Sequence, residues 1–402
     1  MLQKIIPKFN LDFCGADNPP LEILNKRKDS IKKFHRNIDK EAEETSMLDD
    51  SFASFYRIPF PYTEKLASFQ QNSLLKNKDT SKYDAFSSYG VNVFGREVYD
   101  TCIKQAVANY DEYGFFLNSV HPITLENIRY LKKISGLDSF SFHMSGTEAV
   151  LNACRLAKLN TGKKYILKFK GAYHGWASIP NLKEIKTIGQ LKRSRNCAAL
   201  LVNPLQILFP IGSLKADAAL LLGNSTTPSS REEYSKRLQE IQQICQEKGI
   251  IFILDEVFLG FRLAYGGCQE YFNTRADMVL YGKTLGGGLP VGVVCGKEKY
   301  MQKFSKQHPL NFLPSRGTFA AHPLVMLSMN QFLKYLQPNM YDNLDSLWNA
   351  RRETLNQKLQ DAELPLEFIN LASIFGIRHH NYSIYNWVLQ LYFKKNNLYL
   401  GP

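Results

Sequence analysis

Short apolar runs alternate with segments of helix length between about residues 90 and 320, and this alternation constrains the fold most strongly. The runs 165–169, 198–202 and 250–254 are largely apolar, as strands buried on both faces of a parallel sheet are. The segments between them are long enough for helical crossovers, which parallel strands require. The sequence therefore predicts an α/β fold built from βαβ units around a mostly parallel sheet.

Local signals place helices and further strands in this region. The alternating run 140–144 predicts a strand, and Ser145 opens a helix-periodic segment that Gly162 ends as a C-cap glycine. Ser230 and Glu233 form a capping-box pattern at the start of a helix that reaches about Lys248. The same reasoning predicts strands at 278–281 and 291–295 and helices at 324–336 and 341–359.

Changes in texture along the 402 residues predict three regions. Residues 1–85 are polar and rich in charge, and we expect an N-terminal arm and part of a small domain there, with 73–82 flexible. Residues 86–320 form the large domain, and 321–402 supply the rest of the small domain. The last segment, 396–402, stops within what resembles a final strand region, so the small domain is expected to be shortened.

Charge and cysteine usage limit the partners and the compartment. A formal charge of +13 suits an anionic partner, but the basic residues are spread over the chain without an interleaved aromatic motif. We therefore expect a solvated surface, with neither nucleic acid nor membrane as partner. The seven cysteines include no C-x-x-C pair, and no apolar stretch approaches the roughly 18 residues of a membrane span. These features predict reduced thiols and a cytoplasmic protein.

Polar groups that directly follow predicted strands are the candidates for chemistry, because ligands of open α/β sheets bind at the carboxyl ends of the strands. Asp255 and Lys283 each follow a strand and are 28 residues apart, so both could face one cleft. A partly desolvated lysine favours the neutral amine that attacks a carbonyl carbon. The alternative, an N-cap aspartate and a surface lysine, stays open at this point.

The common catalytic motifs fail in this sequence. Gly282-Lys283-Thr284 matches the end of a phosphate-binding P-loop, but Asp277 stands where its first glycine is required. No G-x-S-x-G surrounds Ser145, and the eight histidines form no H-E-x-x-H. Nucleotide hydrolases, serine hydrolases and zinc proteases are disfavoured, and no metal site is expected.

Five ordered strings nevertheless carry a family resemblance: FHMSGTEAVLNACRLA, KGAYHGW, IFILDEVFLGFR, YGKTLGGGLPVG and RGTFAAHPL. Over roughly residues 85–330 the chain resembles the class III pyridoxal-phosphate aminotransferases, most closely the branch that contains glutamate-1-semialdehyde aminomutase. The resemblance implies fold type I: a large domain, 86–320, with a seven-stranded, mostly parallel sheet between helices, plus a small α+β domain from the two chain ends. It also implies a homodimer with shared active sites.

The resemblance implies a role for each candidate residue. Lys283 would hold the pyridoxal 5'-phosphate as a Schiff base and move the substrate proton, and Asp255 would pair with the pyridine nitrogen. A helix N-terminus formed by Ser145, Gly146 and Thr147 would bind the cofactor phosphate. In the same family pattern, Tyr173 would stack on the cofactor ring, although a core aromatic is its alternative, and Thr318 would reach the phosphate of the neighbouring subunit.

Three positions are less defined by the family pattern. His174 is either a structural hydrogen-bonding residue or part of the site wall. Phe258 stands where many relatives have a glutamine that contacts the phenolic oxygen of the cofactor. Asn203 replaces the glutamate of the usual Val-Glu-Pro, so Asn203, or Gln206 beside it, is expected to contact the cofactor region.

The implied reaction is the transfer of an amino group from a donor such as an amino acid to a ketone or aldehyde acceptor. Glutamate-1-semialdehyde 2,1-aminomutase, an intramolecular transfer, is one alternative. Asn203, Phe258 and the segment 89–95 look closer to aminotransferases that act on carrier-bound β-keto acyl groups, which is a second. An inactive cofactor-binding fragment is the alternative from another class. The identities of donor and acceptor do not follow from the residues.

Overall fold

The structure, a computed structural model, describes residues 83–84, 87–117, 119–204, 231–304, 312–315, 317–364, 366–379 and 398–399. These residues belong to two compact units: 90–356 with 368–378 form the larger unit, and the others form the smaller one. The predicted capping residue Ser230, the alternative cofactor contact Gln206 and the flexible stretch 73–82 lie outside the described residues, as does nearly all of the predicted arm. The expected domain boundaries at 85/86 and 320/321 remain predictions.

Eleven strands are defined in the part of the chain that the structure describes. They are β1 (Tyr83–Asp84), β2 (Ser139–His143), β3 (Tyr165–Phe169), β4 (Leu182–Ile185), β5 (Cys197–Val202), β6 (Ile251–Asp255), β7 (Met278–Gly282), β8 (Gly292–Gly296), β9 (Leu366–Leu371), β10 (Ile374–His379) and β11 (Leu398–Tyr399).

Helices connect most of these strands. The α-helices are α1 (Ser87–Gly90), α2 (Arg96–Ala108), α3 (Tyr110–Tyr113), α4 (Pro122–Ser135), α5 (Gly146–Thr161), α6 (Ile188–Arg193), α7 (Arg231–Lys248), α8 (Gly267–Tyr271), α9 (Pro323–Tyr335) and α10 (Leu344–Asp361). Short 3-10 helices cover Lys283–Gly286, Glu298–Tyr300 and Pro338–Tyr341. None of the helices among the described residues is both long and apolar enough to cross a membrane.

Seven strands form one sheet in the order β2-β8-β7-β6-β5-β3-β4. Neighbouring strands from β4 to β7 pair in parallel, whereas β8 lies antiparallel between β2 and β7. The predicted α/β fold with a mostly parallel, seven-stranded sheet is confirmed, as are the predicted strands in β2, β3, β5, β6, β7 and β8. One strand of this sheet was not predicted: β4 is an edge strand with an exposed centre, Lys183 and Glu184, so it lacks the apolar run that marks the others.

Burial on both faces explains why the central strands are continuously apolar. In β6, Phe252 and Leu254 belong to one hydrophobic cluster while Ile251 and Ile253 belong to another, as the alternation of side chains along a strand requires. On one side α5 packs against β8, β5 and β7, and on the other α7 packs against β6. The sheet is thus covered by helices on both faces.

Helix α9 is a further part of the larger unit and packs against α2 and α4. Two buried amides connect it to α4: Asn127 Nδ2 donates to the Met326 carbonyl oxygen at 2.8 Å, and Asn330 Nδ2 donates to Asn127 Oδ1 at 3.0 Å. The predicted helices at 324–336 and 341–359 are confirmed as α9 and α10. Strands β9 and β10 form a separate two-stranded sheet, and β1 pairs with β11 in parallel in another.

Candidate active site

The predicted site residues come from strands that end at the same edge of the seven-stranded sheet. The last residue of β2, His143, and the last residue of β7, Gly282, both pair with Gly292 at the start of β8. Asp255, the last residue of β6, pairs with Leu280 of β7. Lys283 directly follows β7, and Ser145 follows β2 after one intervening residue, so the structure brings both to one edge together with Asp255.

The turn at Ser145 is fixed by its own hydrogen bonds and by close packing. Ser145 is the N-cap of α5, and its Oγ accepts from the Glu148 backbone N–H at 3.2 Å, while Glu148 Oε2 accepts from Met144 N–H at 3.0 Å. A Cβ on Gly146 would lie 2.7 Å from Cγ1 of Val257. The 16-residue helix α5 therefore begins against the segment after β6, and its first N–H groups have no partner within the helix.

Asp255 is a buried carboxylate with two hydrogen-bond donors. His174 Nδ1 lies 2.7 Å from Asp255 Oδ2, at which distance the ring nitrogen donates to the carboxylate, and the Val257 N–H donates to Oδ1 at 3.2 Å. Both side chains are at most 5% exposed. His174 Nε2 is buried and has no hydrogen-bond partner among the described residues. The described hydrogen bond of His174 is thus directed at Asp255.

Lys283 begins the 3-10 helix after β7 with a left-handed φ of 48°. The pKa of its amine is lowered to about 8, mainly by burial and also by the positive charge of Arg262, whereas the negative charge of Asp255 acts in the opposite direction. The next residue anchors the turn, since Thr284 Oγ1 lies 2.5 Å from the Tyr99 hydroxyl oxygen. A large fraction of the Lys283 amine is therefore uncharged near pH 8, unlike that of an ordinary surface lysine.

In the glycine run after Lys283, Gly287 packs closely on α9. Gly287 has a φ of 60°, and a Cβ there would lie 2.6 Å from the Ser328 carbonyl oxygen on α9. Ser328 Oγ in turn donates to the Gly287 carbonyl oxygen at 3.0 Å. These contacts hold the turn after Lys283 directly against α9.

The other predicted residues differ in placement. Asn203 is buried and directly follows β5 at the same edge, whereas Tyr173 is 46% exposed and lines, with His174 and Gly175, a cavity of about 150 Å³. Tyr173 is thus not a buried core aromatic. Thr318 is exposed, and no described contact joins it to the other site residues of its chain.

Two charged residues near Asp255 received no role from the sequence. Glu256 is 1% exposed, its Oε2 accepts from the Cys268 N–H at 2.8 Å, and burial raises its pKa to about 7. Arg262 is 7% exposed and donates to backbone carbonyl oxygens. Both lie in the apolar string that follows Asp255, and this position could have drawn attention to them. Charged residues in such a string are either exposed or bonded to buried partners.

Comparison with known proteins agrees with this arrangement. The model of the aminotransferase class-III family matches residues 62–179 and 230–372. The chain is also 30% identical over 338 residues to a glutamate-1-semialdehyde 2,1-aminomutase of Methanococcus maripaludis, with 79% of this chain and 76% of the relative covered. The chain belongs to the class III aminotransferases.

Further relatives extend the likeness in sequence and in fold. An enzyme of the same name from Citrifermentans bemidjiense is 30% identical over 331 residues, which cover 75% of each chain. A transaminase solved with PLP bound has a TM-score of 0.64 and 24% identity over 80% of each chain, which shows a common fold. As a class III aminotransferase, this chain is a pyridoxal-phosphate-dependent enzyme of amino-group transfer, and the expected cofactor and enzyme class are confirmed.

The described residues of this class III aminotransferase fit pyridoxal phosphate. Lys283 provides an amine that titrates near pH 8, and Asp255 provides a buried carboxylate held by two donors. The N-terminus of α5 provides backbone N–H groups and the dipole that favour an anion. An aldehyde, a ring nitrogen and a phosphate group each have a suitable partner at the same edge of the sheet.

Proposed function

We propose that this class III aminotransferase moves an amino group between a donor amino acid and a separate ketone or aldehyde acceptor, with Lys283 as its cofactor-binding and proton-transferring residue. The observation that carries the proposal is that a buried lysine, with its pKa lowered to about 8, and a buried carboxylate stand at the ends of neighbouring strands. When bound, the cofactor supplies an electron sink for the charge that develops on the substrate carbon.

Each candidate site residue has a distinct role in this proposal. Lys283 Nζ binds the cofactor aldehyde and, once released, takes and returns the proton of the substrate carbon. The Asp255 carboxylate keeps a proton on the ring nitrogen, and His174 orients Asp255. The N–H groups of Gly146 and Thr147 bind the phosphate, and the half-exposed Tyr173 covers the ring. Asn203 borders the cofactor from the end of β5.

The test is an absorbance titration of the purified chain with pyridoxal phosphate. We expect a visible band that disappears when glutamate or another amino donor is added and that is absent in Lys283→Ala. Lys186→Ala, which removes an exposed lysine, is the matched control and should keep the band. A normal band in Lys283→Ala would contradict the assignment, and a band that no donor or substrate changes would favour an inactive cofactor-binding protein.

Intramolecular transfer is the second candidate, and the 30% identity to aminomutases favours it. Glutamate-1-semialdehyde incubated with the loaded enzyme separates the two reactions. An isomeric product without added donor or acceptor would establish the aminomutase reaction. Release of a keto acid that depends on a separate acceptor would establish intermolecular transfer. An acceptor bound to an acidic carrier protein is a variant of the latter, because the net charge of +13 suits such a partner.

We also propose a homodimer in which Thr318 serves the site of the neighbouring subunit. Thr318 is exposed on its own chain, and it lies beside Phe319, which is 48% exposed. Light scattering after gel filtration should give twice the chain mass. Mixing inactive Lys283→Ala with Thr318→Ala should restore part of the activity, because mixed dimers contain one site free of both substitutions. A monomer in solution would refute the proposal.

A cytoplasmic location completes the proposal. The described cysteines Cys102, Cys154, Cys197, Cys245, Cys268 and Cys295 are all free and buried. Reduced thiols are typical of the cytosol, where disulfides rarely persist. Fluorescence of a tagged chain that is distributed outside the cytosol would contradict this assignment.

A further inference from the structure

One aromatic ring, that of Phe258, is close to two cationic side chains at the edge of the site. Lys283 Nζ lies 4.6 Å from the ring centroid, and Arg262 Cζ lies 4.5 Å from the same centroid. Both distances are within the range at which a cation is attracted to the face of an aromatic ring. Arg262 and Lys283, which are 21 positions apart in the sequence, thus both contact the ring of Phe258.

The ring has little freedom to move. A Cβ on Gly90 would lie 2.5 Å from Cε2 of Phe258, so the ring packs directly on a backbone that has room only for glycine. Gly90 also has a φ of 78°, which favours glycine in its own right. Arg262 joins the two segments: its Nε donates to the Phe258 carbonyl oxygen at 2.7 Å, and its Nη2 donates to the Gly90 carbonyl oxygen.

Arg262 is unusual because it is a buried cation bonded to neutral groups. It is 7% exposed, and among the described residues no carboxylate lies within ion-pair distance of its guanidinium. Burial lowers the pKa of Arg262 to about 10, while the Tyr99 hydroxyl acts to raise it. The positive charge of Arg262 is therefore not neutralised locally, and Lys283 lies within its field.

We propose that Phe258 and Arg262 are positioning residues for Lys283: the ring fixes the place of Nζ, and Arg262 holds the ring and opposes a second positive charge beside it. This inference rests on the proposed role of Lys283 as the cofactor-binding lysine. The charged groups that act on Lys283 are Arg262, which disfavours the ammonium form, and Asp255, which favours it. The ring face itself attracts a cation, so its effect on the ammonium form of Lys283 opposes that of Arg262.

Chemical labelling of the full-length chain without added cofactor tests this proposal independently of catalysis. An amine-acylating reagent is applied in short pulses from pH 6 to pH 10, and the modified Lys283 peptide is quantified by mass spectrometry. In Arg262→Met we expect the midpoint of the pH profile to move to higher pH, so that labelling at pH 7 is about tenfold slower, since fewer amines are neutral. Arg262→Lys, which keeps the charge, should label nearly as the original chain does.

Two further variants keep the test decisive. Phe258→Leu keeps an apolar side chain but removes the ring face, and we expect the limiting labelling rate at high pH to rise severalfold because the reagent reaches Nζ more easily. Arg193→Met, which removes an exposed cation of α6, is the control for charge alone. Circular dichroism checks that each variant is folded, and Arg262→Gln replaces Arg262→Met if the latter is not.

An unchanged midpoint in the folded Arg262→Met or Arg262→Gln variant, or an unchanged limiting rate in Phe258→Leu, would overturn the proposal. Failure of the proposed function gives a different result. In that case Lys283→Ala keeps the cofactor absorbance band, whatever the labelling profile of Lys283 is.

Discussion

The carboxylate side and the amine side of the site are built in opposite ways. Asp255 is surrounded by groups that stabilise its charge, because His174 and the Val257 N–H both donate to it. Lys283 is surrounded by groups that destabilise its charge, because burial and Arg262 both act against the ammonium form. The same edge of the sheet thus holds a carboxylate between two hydrogen-bond donors and an amine whose pKa is lowered to about 8, a combination that suits amino-group transfer.

Substitution of Asp255 should have the largest effect and tests whether the carboxylate side of the site has a chemical role. Asp255→Asn keeps the size of the side chain but cannot keep a proton on the ring nitrogen, so we expect kcat/KM to fall by about 10²–10³-fold. Steady-state kinetics of the loaded enzyme measures this. Asp277→Asn removes a carboxylate at the other end of β7 and is the control for folding. Equal losses in both variants would argue against a chemical role for Asp255.

Glu256, the neighbour of Asp255 in sequence, sharpens the comparison because burial raises the pKa of its carboxyl. Its pKa in the folded chain, about 7, is above the value of 4.5 for an ordinary glutamate, so its contribution to stability is present at low pH and is lost as the pH rises through 7. Glu256→Gln should therefore raise the free energy of unfolding at pH 8 by about 1–3 kcal/mol and change it little at pH 4. Urea unfolding at the two pH values, with exposed Glu247→Gln as control, measures this. Equal effects at both pH values would contradict it.

The amine side can be tested through the rate of cofactor uptake. With a pKa of about 8, the neutral fraction of Lys283 rises about tenfold between pH 7 and pH 9, so covalent uptake of pyridoxal phosphate should accelerate by about the same factor. Stopped-flow absorbance follows the uptake. Binding of pyridoxamine phosphate, which has no aldehyde to react with Lys283, is the control for pH effects on the phosphate site. A ratio of the two rates that does not change with pH would show that the Lys283 amine does not titrate in this range.

His174 should have a smaller effect than Asp255, since it acts on the cofactor only through that carboxylate. In His174→Phe the carboxylate loses its 2.7 Å hydrogen bond but keeps the Val257 N–H, and we expect kcat to fall by about tenfold. Combining it with Asp255→Asn should give no further loss. Additive losses in the double variant would mean that His174 acts independently.

Asn203 should have the smallest effect. Its side chain is buried at the end of β5, and we expect Asn203→Ala to weaken cofactor binding by about threefold through the loss of one neutral hydrogen-bonding side chain. Equilibrium dialysis measures the binding. An unchanged spectrum, affinity and activity would remove Asn203 from the site.

The sequence predicted the parts of the fold and site that depend on local pattern. β6 and β7 are apolar runs, and Asp255 and Lys283 stand where such runs end, so both could be placed at the edge of the sheet. β4 was not predicted because Lys183 and Glu184 interrupt its pattern. The predicted ends of β8 differ from the observed ones by a single residue.

What the sequence could not predict depends on contacts between distant segments. Arg262 is buried because it bonds to Gly90, which lies 172 positions earlier in the chain. No pattern near Arg262 signals that partner. Likewise, the contact of Gly287 with Ser328 is formed only when α9 packs on the turn after Lys283.

The pairing of β8 has a consequence for the order in which the enzyme acquires its site during translation. β2 is an edge strand whose single neighbour in the seven-stranded sheet is β8, and residues 144–291 separate the two. A ribosome that has completed β2 must therefore synthesise β3 to β7 before the partner of β2 exists. Because domains fold as their chain emerges, the nascent chain carries an unpaired β2 and an unfinished Ser145 turn until residue 296 has left the exit tunnel. If synthesis stalls after residue 283 but before that point, the chain contains Lys283 and Asp255 but has no completed site.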